Sequence, residues 1–248
     1  SDYWVAKLEN EEYVKVNDKT IAGTDLNVGL ISDGDYIRGQ VANLVSRVSD
    51  TASGLESQNP NLNTLFFNYI SSDNTTTEYT SGEVLEVYPS TTSIANIQVT
   101  AIGDNYSNSD TVTISSTNGG NAVATVNTYS NGSVESITVT ANGSGFTADD
   151  YPTASVSGNS SADGATLRVN LKETMRVTVG NNALLTADAG GNTQFNVVGK
   201  AYEMQVADGI VFQKGFFQRF PEQSIIVSKY TNRPNDLMVG VKTTESTV

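Results

Sequence analysis

Ile94-Ala-Asn-Ile97-Gln-Val99-Thr-Ala-Ile-Gly103-Asp-Asn-Tyr106 returns as Val134-Glu-Ser-Ile137-Thr-Val139-Thr-Ala-Asn-Gly143-Ser-Gly-Phe146, an offset of 40 residues (94 to 134). The echo continues. Thr111-Val112-Thr113-Ile114 matches Thr153-Ala154-Ser155-Val156 at an offset of 42 (111 to 153), and Ala122-Val-Ala-Thr-Val126-Asn127 matches Ala165-Thr-Leu-Arg-Val169-Asn170 at 43 (122 to 165). Every slip falls in a connector rich in Gly, Asn, Ser and Asp, so strands are kept while loops vary, the mark of a duplicated β unit. Ile/Val/Thr alternation separated by Asn-Gly, Gly-Gly and Gly-Ser-Gly turns predicts short strands throughout 94–171. In each copy an aromatic, Tyr106 or Phe146, follows a glycine; both are expected to plug the small core of their own copy. Such units bury little apolar area alone and are expected to stack on each other or on a neighbouring subunit.

The flanks read as β as well. Tyr13-Val-Lys-Val16 alternates. Leu65-Phe66-Phe67-Asn68-Tyr69-Ile70 and Gly82-Glu83-Val84-Leu85-Glu86-Val87-Tyr88 read as the two strands of a hairpin that Pro89 ends. Ile37, Val41, Leu44, Val45 and Val48 fall at helical spacing, which predicts a short helix over 37–51; a strand pair joined by a turn is the competing reading. Beyond 171, Phe212, Phe216, Phe217 and Tyr230 belong to the densest apolar region and are expected to form the core or an interface of a final β domain. Tyr3 and Trp4 are candidate anchors on a partner chain. The expected fold class is mainly β: several small modules, comprising a tandem sandwich-like repeat and flanking β domains, with at most one or two short helices. Three consecutive regions are expected: 1–90 with an attachment role, the tandem repeat 91–172 (copies 94–133 and 134–171), and a C-terminal β domain 173–248 that continues in a longer chain.

Composition narrows the function. The chain has 248 residues, no His and no Cys, so the side chains most used for nucleophilic, acid/base and transition-metal chemistry near neutral pH are missing. Lys plus Arg number 14 against 27 Asp plus Glu, a formal net charge of −13, which repels phosphate backbones and anionic lipid; nucleic acid and membrane are not expected partners. Asp104, Asn105, Asn108, Asp110, Asp149, Asp150 and Asp163 cluster in the repeat loops but match no calcium-loop spacing, and turn capping explains them better than a metal. Neither metal nor cofactor is expected, and no nucleophile-plus-base set can be assembled, so the chain is not expected to be an enzyme.

Asn142-Gly-Ser-Gly145-Phe146-Thr147, Pro152-Thr153 and Gly164-Ala165-Thr166 resemble a β repeat common in virion proteins of tailed phages, particularly contractile-tailed cyanophages. Ala207-Asp208-Gly209-Ile-Val-Phe212-Gln-Lys-Gly215-Phe216-Phe217, with Pro221-Glu222-Gln223 and Lys229-Tyr230-Thr-Asn232-Arg-Pro234 following, is similar to an uncharacterised domain near the N-terminus of large phage tail, baseplate and fibre proteins. The resemblance implies a structural virion protein of baseplate or tail fibre, assembled in the host cytoplasm, homotrimeric, and docked to other tail or baseplate proteins. The alternative expectation is a carbohydrate-binding receptor module or a bacterial surface adhesin.

Overall fold

The computed structural model describes residues 6–41, 43–53, 63–72, 75–158, 161–180, 197–213 and 215–228, and they are almost entirely β, as the alternation predicts. The chain forms two compact units, Val14–Val198 and a smaller one made of Ser1–Tyr13 with Gly199–Val248. The first strand, β1 (Ala6–Thr20), crosses the division.

In the larger unit β1 is followed by a single 3-10 turn (Val28–Leu30), then β2 (Tyr36–Gly39), β3 (Val45–Ala52), β4 (Asn63–Ser71) and β5 (Val84–Tyr88). Of the two readings of 37–51, the helix is not formed and the strand pair joined by a turn is: β2 and β3 pair antiparallel, Tyr36 opposite Arg47 and Arg38 opposite Val45. Ile37, Leu44 and Val48 are buried while Val41, in the turn, is 73% exposed. Two strands facing one interior across a turn had imitated a helical stripe. The hairpin expected between 65–70 and 82–88 is absent too. β4 pairs with β3, and β5 pairs with β2, with Ile37 opposite Val87. The chain closes a six-stranded barrel in the order β12-β5-β2-β3-β4-β1, where β12 is Met175–Val179 and pairs back to β1 through Val16 and Val179. Closure removes free sheet edges. Val14, Val16, Ile37, Val48, Leu65, Phe67, Leu85, Val87, Val177 and Val179 fill the interior. Tyr79 completes it: its hydroxyl donates to Ile37 O (3.1 Å), shares a hydrogen bond with Ser46 Oγ (2.8 Å), and its ring meets Phe67 edge-on with centroids 5.3 Å apart.

The duplicated segment is therefore an insertion between barrel neighbours β5 and β12, whose strands face each other with Val87 opposite Met175 and Leu85 opposite Val177. This corrects the expected boundary at 172/173, because antiparallel pairing returns the chain to the barrel it left. Six strands make the insert: β6 (Ile94–Asp104), β7 (Thr111–Ser115) and β8 (Gly120–Thr128) from copy one, β9 (Val134–Ser144), β10 (Thr153–Ser157) and β11 (Asp163–Leu171) from copy two. The copies do more than stack on each other, as units with so little core of their own are expected to do: they exchange strands. β6 pairs with β11, β8 with β9, and β7 with β10, so each copy's first strand is completed by the other's last. Thr113 faces Ser155, its own repeat equivalent, which places a local two-fold axis through that pair. Symmetry extends to irregularities: bulges at Val123/Ala124 and Asn127/Thr128 recur at Thr166/Leu167 and Asn170/Leu171. β6 and β9 bury the same positions, residue for residue.

Close packing fixes two glycines. Gly103 (φ +55°) and Gly143 (φ +65°) adopt left-handed backbone, and a Cβ there would lie 2.4 Å from Ala165 N and 2.5 Å from Gly120 O respectively. Only glycine meets both demands. The insert shares its core with the barrel's outer wall, where Tyr36, Val45 and Tyr88 join Ile94, Ile97, Val126, Val134, Val169 and Leu171. This is why β5 is buried on both faces.

In the smaller unit, β13 (Val198–Val206) pairs antiparallel with β16 (Gln223–Ser228), with Met204 opposite Ile225. Between them come β14 (Gly209–Gln213) and β15 (Phe216–Phe220), which among the described residues pair only with each other. Its described core is small, with Tyr13, Ala201 and Val206 buried.

Candidate docking site

The residues that sequence reasoning put forward fall into two groups. Tyr106 and Phe146 are buried in the insert, but each plugs the opposite copy. Phe146 lies against Gly119 so tightly that a Cβ there would be 2.2 Å from its ring, and its backbone exchanges hydrogen bonds with Thr92 (Phe146 N to Thr92 O 3.1 Å, Thr92 N to Phe146 O 2.7 Å). Tyr106 N donates to Gly132 O (2.7 Å), the equivalent of Thr92, and its hydroxyl accepts from Ala165 N at 3.3 Å. They are core residues of the pair. The expected packing of each on its own copy is corrected by the strand exchange that carries each loop across.

Phe212, Phe216 and Phe217 stand on the β14–β15 hairpin, and none is in a core: they are 55%, 71% and 78% exposed. Alternation explains the arrangement. Phe212 and Phe217 are directly opposite in the ladder, so their side chains share a face, and their rings sit 5.0 Å apart; Ile210, 59% exposed, lies two residues along on that face. Phe216 is opposite Gln213 and projects on the other face. At the hairpin base the Phe220 ring covers Gly209, where a Cβ would be 2.9 Å away, and Arg219 Nη2 meets Asp208 Oδ2 at 3.3 Å. Gly215 (φ +87°) turns the chain. Ile225 on β16 adds a further exposed aliphatic at 60%. Ile210 and Ile225 were missed by the sequence reading, although a strand whose two faces are both apolar already signals that one of them needs a cover. Tyr3, Trp4 and Tyr230 lie outside the described residues.

Chemically this element offers apolar area and little else. A two-stranded ribbon is marginal alone, and each exposed phenylalanine gains about 2 kcal/mol on being covered. Aromatics in such a cluster are the usual anchors of protein interfaces. The acidic loops do different work. Asp110 accepts from Ser107 N (2.9 Å), Asn108 Oδ1 from Thr128 N (2.7 Å), and Asp163 Oδ1 from Gly164 N (2.7 Å). Asp150 Oδ2 accepts from Ser116 Oγ (3.0 Å), Thr117 N (2.6 Å) and Asn118 N (3.0 Å). Burial pushes the Asp150 carboxyl up, but the Ser116 hydroxyl and the Asn118 and Thr117 amides outweigh it and hold the group below the ordinary carboxylate range. Among the described residues no three His, Cys, Asp or Glu side chains converge as a metal cage, and no helix is long and apolar enough to cross a membrane. Compared with known proteins, the chain matches no family model, no curated protein and no solved structure.

Proposed function

We infer that this chain is a structural component of a tailed-phage virion, a baseplate or tail-fibre attachment protein that acts in assembly by docking onto other tail proteins and onto further copies of itself as a homotrimer. The observation that carries the docking role is the β14–β15 hairpin, whose phenylalanines are exposed on a ribbon that has no further strand neighbour among the described residues. Contiguous exposed aromatic surface of this kind is uncommon on monomeric proteins and is the ordinary signature of an interaction site. The phage assignment rests on the sequence resemblance at 142–166 and 207–234, and the absence of His and Cys fits a part that works through shape.

Native mass measurement of the full chain tests the reading. The wild-type chain assembles, and Phe216→Ser with Phe217→Ser shifts it toward monomer while its far-UV circular dichroism keeps the same β signature, since the exposed side chains are not part of the single chain's core. A wild-type chain that stays monomeric at high concentration and fails to associate with tail proteins overturns it.

A further inference from the structure

A groove runs between the barrel wall and the insert, at the place where the chain leaves β5 and returns to β12. Two adjoining cavities of about 420 and 320 Å³ share Gln40, Glu86 and Arg168. Its charge is out of keeping with the chain. Val14–Val198 contains seven Lys or Arg residues (Lys15, Lys19, Arg38, Arg47, Arg168, Lys172, Arg176), and four of them, Arg38, Arg168, Lys172 and Arg176, line these cavities. Among the described residues only two carboxylates line them, Glu86 and Glu173, and both are already engaged. Glu86 accepts from the Tyr88 hydroxyl (2.7 Å) and Gln40 Nε2 (2.9 Å) and lies 3.4 Å from Arg176 Nη2; Glu173 holds Arg176 Nε at 2.8 Å.

The remaining cations are unmatched. Arg168 and Lys172 are exposed and make no ion pair or side-chain hydrogen bond among the described residues. Arg38 gives Nε and Nη2 to Asn43 Oδ1 (3.0 Å for Nε) and stacks over the Tyr151 ring at 4.2 Å, and it meets no carboxylate among the described residues. The amides of Asn96, Gln98 and Asn170 line the same wall, and Asn170 Nδ2 is already aligned on Asn96 Oδ1 at 2.7 Å. Such amides offer a donor and an acceptor side by side, which suits vicinal hydroxyls.

We propose that this groove binds an acidic sugar unit, its carboxylate held by Arg168 and Lys172 and its hydroxyls by the Asn96, Gln98 and Asn170 amides. The lining favours a polyhydroxy acid over an acidic peptide, because it places polar side chains where a peptide would need apolar pockets or an open strand edge. This site is separate from the aromatic hairpin and stands whether or not that hairpin docks.

Calorimetric titration of the full chain with an oligogalacturonate tests the proposal, with the neutral galactose oligomer and inorganic phosphate as further arms. The acidic oligomer binds with millimolar or tighter affinity, weakens as salt is added, and shifts the side-chain amide NMR signals of Asn96, Gln98 and Asn170. Arg168→Gln and Lys172→Gln each weaken it about tenfold, and both residues are exposed, so the fold is kept. No heat at about 10 mM ligand overturns the proposal, as does binding unchanged in the double variant. Equal binding of the neutral oligomer removes the acidic specificity, and displacement by equimolar phosphate reduces the groove to a general anion trap; either overturns the sugar-acid assignment.

Discussion

The two copies of the repeat diverge where a loop meets the opposite copy. In copy two, Asp150 reaches across to three donors at 116–118, and Phe146 is sealed on Gly119 at 1% exposure. In copy one, Asp110 bonds within its own loop to Ser107, and Tyr106 keeps 8% exposure with its hydroxyl on Ala165 N. The strands between these loops are the same down to their bulges. A shared scaffold therefore tolerates two different plugs, one dry and one with a polar handle, because the exchange of strands and not the plug defines the fold.

Removing the plugs breaks the comparison most severely. Phe146→Ala opens a cavity in the shared core and costs about 4 kcal/mol; Tyr106→Ala, whose ring is closer to solvent, costs about 1 kcal/mol less. Denaturant unfolding of both variants reads the difference, and a reversed order would show that the sealed plug is not the better packed. Next come the paired glycines. Gly103→Ala and Gly143→Ala each lose about 3 kcal/mol, since an alanine must take left-handed backbone and push on the opposite strand. Equal losses in thermal unfolding support the two-fold axis, whereas loss at one glycine alone refutes equivalence.

The smallest effect is one of acidity. Because the folded Asp150 carboxyl is held below its ordinary value, its contribution is present in full above about pH 4 and disappears as pH falls through the folded value. Asp150→Asn should therefore be less stable than wild type at neutral pH, with the gap closing in acid, when unfolding temperature is followed from about pH 7 down to about pH 2. A gap that stays constant in acid would mean that the carboxylate's charge is irrelevant to the loop.

Strand content was legible in the sequence because Val, Ile and Thr alternate with polar residues and Gly-rich turns punctuate them. Partner choice was not. Alternation states which face a residue takes and is silent on which strand lies beside it, so β6 and β11, distant in sequence, could not be matched from residues alone. The same silence produced the false hairpin between β4 and β5. The stripe Ile37, Leu44, Val48 left a helix and a strand pair in competition because two short strands and a turn reproduce helical spacing over one interval. At the docking hairpin, aromatic density at 210–220 pointed to packing or an interface, and only the pairing of β14 with β15 alone showed that the described chain leaves those rings uncovered. The groove was illegible for a related reason: Arg38 is separated by 130 positions (38 to 168) from Arg168, and only the insertion point brings them to one cavity.

The interlocking of the two copies sets an arithmetic on how such a segment can grow or shrink. Loss of one copy would strip β6 or β9 of its mate and leave raw hydrogen-bonding edges, which a second polypeptide would then be recruited to satisfy. Gain of a single copy would leave the same surplus. Lengthening by whole couples is the change that keeps every strand matched.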